Sequence, residues 1–532
     1  MNKTNMNFFW SRGLCIAAIA VMPFVSFAQK PNWQNLDLKA DSTFGISTEK
    51  AYNELLKGKK SVPVVVAVLD GGVDINHEDL KAIIWVNKKE KAGNGKDDDK
   101  NGYIDDVNGW NFLGSAKGSI NNETLELTRL VRRDNAKFAN ADATSVKPSE
   151  LPAFEAYQKN KAELETELAE AKTGLERFTA IKNAIDAVVK KIGKDNPTVA
   201  DFQAFKPGND MEANIQRIMV SELKDSSYEE FYNSQIVAGY DHFKSQVDYN
   251  LNLDYDPRPI VGDNPNDSKE RFYGNNDVAG PDARHGSHVA GIIAAVRTNN
   301  LGIQGVADNV VIMGVRTTPN GDERDKDVAN SIRYAVNNGA KVINMSFGKG
   351  YSWDKAVVDE AVKYAVSKDV LLVHAAGNDN KDLEVEANYP NPDYLSGGVA
   401  SSWLTVGASD YKNDGTIKAN FSNYGKTKVD VFAPGVNINS TVPGSKYEKL
   451  NGTSMAAPVV AGLAALIRSY YPKLSAVQVK DIIMKSVVKV NQSVEIKDEA
   501  GSSKTLPFAD LCVSGGIVNA YDALKLAAEY KK

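Results

Sequence analysis

The stretch Asn451-Gly452-Thr453-Ser454-Met455-Ala456-Ala457-Pro458, continued by Val459-Val460-Ala461-Gly462-Leu463-Ala464-Ala465-Leu466-Ile467, decides the reading of the whole chain. A polar turn containing glycine delivers one serine to the start of a helix that is apolar on almost every side. Such a helix belongs in the interior of a domain and not on its surface. A hydroxyl at a helix N-terminus lies among unpaired backbone N–H groups, at the positive end of the helix dipole, where developing negative charge is favoured. That environment suits a nucleophile. It equally suits a serine that merely caps a core helix. The choice rests on whether the chain also supplies a base, an orienting carboxylate and an oxyanion donor.

The segments that precede this helix repeat one unit. Strands are expected at residues 310–315, 341–347, 370–375, 404–408 and 429–432, with helices at 328–337 and 354–367. Alternation of strand and helix argues for a mostly parallel sheet covered by helices. The first strand is Val62-Pro63-Val64-Val65-Val66-Ala67-Val68-Leu69, a continuous run of mostly β-branched residues, as expected when both faces are buried. It ends in Asp70, and the carboxyl ends of such strands are where open α/β sheets place their sites. An aspartate there also serves as a plain turn cap. His285 opens a helix that carries Gly286 and Gly291, and His288 points one turn inward as a structural hydrogen-bonding residue. The strand ending at Ala375 runs into Ala376-Gly377-Asn378.

Four stretches therefore stand in order: Val-Leu-Asp70-Gly-Gly-Val-Asp, His285-Gly-Ser-His-Val-Ala-Gly, Ala-Ala-Gly377-Asn378 and Gly452-Thr-Ser454-Met-Ala-Ala-Pro458. Together they resemble the subtilisin-like serine peptidases, the subtilases, over about Gly45 to Val107 and Ser268 to Leu526. The order Asp, His, Ser along the chain is the one this family uses. The resemblance implies a three-layer α/β fold of subtilisin type with a mostly parallel central sheet. It implies that Ser454 is the nucleophile, His285 the general base, Asp70 the orienting carboxylate and Asn378 the oxyanion donor. It also places Ser346, Phe347, Gly348, Ala376 and Gly377 along the bound substrate, which would be a protein or peptide. The chemistry needs no cofactor. His77, His242 and His374 lack a catalytic setting, and His77 reads as structural.

Residues 1–28 have a basic start at Lys3 and Arg12, an apolar core from Gly13 to Phe27 and a small-x-small end at Ser26-Phe27-Ala28. This is the pattern of a secretory signal peptide, with cleavage near Ala28 and export to the periplasm or the medium. Its apolar run is too short for a comfortable membrane span, and no later run is long enough. Cleavage removes two basic and no acidic residues, taking the net charge from −5 to −7. No basic patch marks a nucleic-acid partner. Of the 2 cysteines, Cys15 leaves with the leader, so Cys512 has no disulfide partner. An exported protein without disulfides relies on a large core or on ions. Residues 29–532 are accordingly read as one peptidase domain. The segment 29–61, ahead of the first strand, is too short for a separate inhibitory propeptide domain.

An ion site is expected in Asp97-Asp98-Asp99-Lys100-Asn101-Gly102-Tyr103-Ile104-Asp105-Asp106. Oxygen donors at Asp97, Asp99, Asn101, the Tyr103 carbonyl and Asp105, with Gly102 for the sharp turn, match the first half of a calcium loop. The twelfth position is Asn108 and not glutamate, so a standard helix–loop–helix hand is not expected, and Asp106 could instead swing in. Residues 113–267 form a large helical insertion. Leu164, Leu168, Ala171, Leu175, Phe178, Ile181, Ile185, Val188 and Ile192 recur at helical spacing among Glu and Lys. Further helices are expected at 211–223 and 228–251. This insertion separates Asp70 from His285 far more widely than in the simplest subtilases. The rival to an active exported endopeptidase is a binding protein on a peptidase scaffold, its cleft occluded by the insertion. An esterase is excluded by the absence of a G-x-S-x-G elbow around Ser454.

Overall fold

A computed structural model describes residues 29–497 and 501–530; residues 1–28, where a signal peptide is expected, lie outside the described residues. Nine strands form the main sheet. In chain order they are β1 (Val64–Asp70), β2 (Gly109–Asn111), β3 (Val310–Arg316), β4 (Val342–Met345), β5 (Leu371–Ala375), β6 (Trp403–Ser409), β7 (Val431–Pro434), and, after a separate hairpin of β8 (Ile438–Val442) and β9 (Lys446–Leu450), β10 (Val488–Lys489) and β11 (Gly516–Ile517). The sheet order is β10-β11-β7-β6-β5-β4-β1-β3-β2. Every pairing is parallel except β10 with β11.

Side chains alternate across a strand, so a sheet buried on both faces must feed two cores. Along β1, Val64, Val66 and Val68 enter one core. Ala67 and Leu69 enter another. The first core contains helix α1 (Arg284–Ala294) through Val289 and Ile293. Across the sheet, the second contains Val328 and Ile332 of α2 (Asp325–Asn337) and Ala361, Val362 and Ala365 of α3 (Lys355–Ser367). Helix, sheet and helix make three layers. The serine helix, α4 (Thr453–Tyr470), lies in the first core and is buried from Met455 to Ser469. An aliphatic side chain contributes about 1.5–3 kcal/mol when fully buried, so this helix anchors its layer strongly. The expected strands and helices of this unit form within one to three residues of their predicted ends. The edge strand β2 and the β8–β9 hairpin were not foreseen.

The topology positions the site. β1 lies between β3 on one side and β4 on the other: the chain adds β2 and β3 on one side of β1 and then crosses to the other side for β4. A cleft opens beyond the carboxyl ends of the strands at such a switch point. β1 delivers Asp70 there, and the parallel registers Leu69–Met345 and Met345–His374 bring Ser346 and Ala375 alongside.

A second compact unit comprises residues 122–257 with 319–322. It is helical, dominated by the 42-residue helix Leu151–Ile192, which passes Gly174 unbroken and stops at Gly193 in the left-handed conformation. Its apolar face continues into a cluster of Ile185, Val188, Phe202, Ile215, Met219 and Leu223. The expected helix at 228–251 alternates α and π turns from Tyr228 to Asn250. Among the described residues no helix is long and apolar enough to cross a membrane.

The weight carried by α4 is measurable. Leu466 is fully buried in that helix. Leu466→Ala is expected to destabilise the protein by about 2–5 kcal/mol, the range for truncating a buried leucine to alanine. Urea unfolding in a Ser454→Ala background, which prevents self-digestion, checks this against Leu301→Ala, an exposed position expected to stay within about 0.5 kcal/mol.

Candidate active site

Asp70 is buried at the end of β1, and His285 is the second residue of α1. They meet because Gly286 has no side chain: a Cβ there would fall 2.2 Å from the Gly72 carbonyl oxygen and 3.0 Å from the Asp70 Cβ. The first turn of α1 therefore rests directly on the strand end. His285 Nδ1 lies 2.8 and 3.0 Å from the two Asp70 carboxylate oxygens. A carboxylate at that position fixes the tautomer, with the proton on Nδ1 and the Nε2 lone pair free to accept. Burial disfavours the charged ring, and the Asp70 carboxylate more than offsets this, holding the imidazole pKa above its ordinary value.

Ser454 is the second residue of α4 and its one partly exposed position between Thr453 and Ser469. Pro458, inside the helix, has no N–H, so it cannot bond the carbonyl four residues back, that of Ser454. The Ser346 hydroxyl donates to this carbonyl at 2.9 Å. In return the Ser454 hydroxyl donates to the Ser346 carbonyl at 3.1 Å. Ser346 immediately follows β4, the strand beside β1, and adjacent strands run about 4.8 Å apart. The nucleophile candidate and the Asp70–His285 pair thus stand at neighbouring strand ends. His285 and Ser454 are not hydrogen-bonded to each other, and rotation about the Ser454 Cα–Cβ bond frees its hydroxyl from Ser346. Such contacts are commonly long before substrate binds.

Asn378 follows β5, next along the sheet. Its side-chain oxygen accepts from the Thr453 N–H at 2.8 Å and the Thr453 hydroxyl at 3.0 Å. That hydroxyl in turn accepts from the Gly377 N–H at 3.1 Å. With the amide oxygen held from α4, the nitrogen is left to donate, beside the turn at Gly452. The segments 346–348 and 376–377, expected along the substrate, occupy the ends of adjacent strands. Between them stands Asn388, which donates to the Ala375 and Ala376 carbonyls at 3.3 and 3.1 Å and lies where a Gly348 side chain would otherwise project. No motif pointed to Asn388.

Three of the other histidines, His77, His288 and His374, are buried in the scaffold. His288 is buried against the Ile438 and Glu448 carbonyls, and burial pushes its pKa down to about 4. Burial does the same to His374. His77 bonds the Lys446 carbonyl and the Asp79 N–H. Cys512 is a buried free thiol.

The acidic loop is arranged differently from a calcium hand. Asp97 accepts from the Asn101 and Gly102 N–H groups, Asn101 from Tyr103, and Asp105 from Asn94 and Gly95. These side chains shape the loop. Of the five expected ligands only Asp99 joins a carboxylate group, together with Glu90 and with Asp106, the residue expected to be able to swing in, their oxygens all within 4.8 Å of one another. Glu90 Oε2 is buried without a hydrogen-bond partner. Converging hard oxygen donors, one unsatisfied, suit a calcium ion. Burial, reinforced by Asp99, raises the Asp106 pKa to about 6 despite hydrogen bonds from Tyr334, Asn87 and Asn101. Glu90 lies outside the ten-residue motif and carries no sequence signal of its own.

Residues 62–505 match the model of the Subtilase family. Subtilisin Savinase of Lederbergia lenta is 40% identical over 199 residues, covering 37% of this chain and 67% of that protein. The alkaline protease of Alkalihalobacillus alcalophilus is 40% identical over 199 residues, covering 37% of this chain and 48% of that protein. The chain thus spans about half the length of several curated relatives that it matches. A solved protease from Pseudoalteromonas arctica covers 93% of this chain and 99% of its own at 19% identity and a TM-score of 0.47. With a family match that extends from the strand carrying Asp70 past the helix carrying Ser454, the chain belongs to the subtilase family.

Proposed function

We propose that the protein is an exported serine endopeptidase that cleaves peptide bonds through Ser454, His285 and Asp70. The observation that carries this reading is the His285 Nδ1–Asp70 pair at 2.8 Å, set one strand away from a serine at the N-terminus of a buried helix. Ser454 Oγ attacks the scissile carbonyl carbon while His285 Nε2 takes the hydroxyl proton, and Asp70 stabilises the resulting imidazolium. The carbonyl oxygen becomes an oxyanion that accepts from Asn378 Nδ2 and from the Ser454 backbone N–H. When the tetrahedral intermediate collapses, the C–N bond breaks and the leaving amine takes the proton from His285. Water, deprotonated by His285, then attacks the acyl-enzyme ester and releases Ser454. Residues 346–348 and 376–377 would line the bound peptide. The leader pattern in residues 1–28 supports export, and the relatives named above, a subtilisin and an alkaline protease, support a protein or peptide substrate.

This reading includes a structural calcium ion, which Glu90, Asp99 and Asp106 would hold. When bound it supplies positive charge that cancels the repulsion of three clustered carboxylates. It takes no part in the reaction.

Casein hydrolysis and labelling by a fluorophosphonate probe test the activity. The intact protein is expected to react at Ser454, and Ser454→Ala is expected to lose about 10⁶ in turnover while melting at the same temperature. A folded protein that resists the probe would instead be the occluded binding scaffold. The pH profile tests the His–Asp pair. Activity requires neutral His285, so kcat/KM rises as pH passes upward through its pKa. Asp70→Asn removes the charge that raises that pKa, so the acid limb is expected to move to lower pH as kcat falls about 10⁴-fold. For the ion, chelator is expected to lower Tm and added calcium to restore it. Glu90→Gln should abolish that response, and a Tm indifferent to calcium would remove the site.

A further inference from the structure

Asn378 can stabilise an oxyanion only if its amide is held in one place, and its own side-chain bonds to Thr453 contribute to that. The backbone that carries it is a turn, residues 376–381, beyond the end of β5. Asn388 and Thr453 each bond one backbone group of this turn, but one buried side chain from another part of the fold bonds it on both sides of Asn378. Asn423 lies in the loop between β6 and β7 and is 2% exposed. Its Nδ2 donates to the Ala376 carbonyl at 2.9 Å. Its Oδ1 accepts from the Asp379 N–H at 3.0 Å and from the Lys381 N–H at 2.9 Å. Its backbone N–H donates to the Gly377 carbonyl at 3.0 Å.

Each of these bonds ends on the turn, on both sides of Asn378, and none is made to Asn378 itself. Gly377 adopts φ +101°, and a Cβ there would lie 2.4 Å from Asn423 Nδ2. The turn is thus seated directly on the amide. Asn423 is itself fixed to the sheet. The Ser422 hydroxyl accepts from the Ala408 N–H of β6 and donates to the Asn423 carbonyl, both at 2.9 Å. The chemistry also selects the residue type. The turn presents one acceptor and two donors, which a carboxamide of this length satisfies together; a carboxylate lacks the donor, and an aliphatic side chain lacks everything.

We propose that Asn423 is a positioning residue for the oxyanion donor, fixing the backbone from which Asn378 reaches the transition state. This rests on the endopeptidase reading given above. The effect should fall on kcat, because the oxyanion forms only after binding and a bond made only in the transition state does not help substrate to bind. Loss of one oxyanion donor costs about 10²–10³ in turnover, and displacing a positioned group by about 1 Å costs up to about 10².

The test is a cycle of Asn423→Ala, Asn378→Ala and the double variant, assayed on a peptide p-nitroanilide with Tm recorded for each. Asn423→Ala is expected to lower kcat roughly 10- to 100-fold with KM within about twofold. In the Asn378→Ala background the same substitution is expected to cost less than about threefold, since the group it positions is already gone. An undiminished loss in that background, or no loss in the single variant, overturns the proposal. If Asn378→Ala alone leaves kcat unchanged while Ser454→Ala abolishes activity, the oxyanion role of Asn378 fails and takes this proposal with it. The serine peptidase reading survives that result. Should Asn423→Ala fail to fold, Asn423→Asp carries the cycle. It keeps the acceptor for Asp379 and Lys381 and loses the donor to Ala376, so a kcat loss that vanishes in the Asn378→Ala background again supports the proposal and an undiminished one overturns it.

Discussion

A helix with no polar face has to be buried, and the rest of this molecule follows from where α4 is buried. It packs under the sheet with its first turn at the carboxyl ends of the strands, so the one partly exposed residue of that turn, Ser454, enters the cleft. Neighbouring strand ends supply the remaining groups: Asp70 from β1, Ser346 from β4 and Asn378 from the turn after β5. Burial against both layers fixes these ends to one another. The site thereby inherits its precision from the core. Polar groups deliver the chemistry, and apolar surface sets their spacing.

The bonds around Ser454 show how a local defect in a helix is put to use. Pro458 leaves the Ser454 carbonyl without its helical partner, and an unpaired buried carbonyl is costly. Ser346 supplies the missing donor, which ties α4 to β4 at the point where substrate would lie. Asn378 is tied in from α4 through Thr453, and the backbone on either side of it is held from the β6–β7 loop through Asn423. The proposed nucleophile and oxyanion donor are therefore each supported from outside their own element, as a preorganised site requires.

Much of this was legible in the chain. The β-branched run before Asp70, the apolar sequence after Ser454 and the alternation of strands with helices specified a buried parallel sheet, because burial on both faces leaves a continuous apolar signature. Asp70, His285, Asn378 and Ser454 were visible because each sits beside a glycine-containing turn at an element end, and together they fit one family. The groups that were missed share a different property. Asn388, Asn423 and Glu90 act through backbone atoms or carboxylates remote in sequence, so nothing near them signals their use. The acidic loop was half legible. Its spacing pointed to oxygen donors, but Asp97, Asn101 and Asp105 cap loop N–H groups, and the converging set is completed by Glu90 from outside the motif. Hydrogen-bond competition with the local backbone decided that, and spacing alone does not register it.

The most direct measurement is a crystal structure of the protein after reaction with a peptidyl phosphonate, whose tetrahedral phosphorus mimics the first intermediate. Phosphorus is expected to be bonded to Ser454 Oγ, with the phosphonyl oxygen about 2.7–3.1 Å from both Asn378 Nδ2 and the Ser454 backbone nitrogen. His285 Nε2 should have turned to hydrogen-bond the adduct while Nδ1 stays on Asp70. An unmodified Ser454, or an adduct whose oxygen faces solvent with Asn378 and His285 out of reach, would contradict the proposed mechanism.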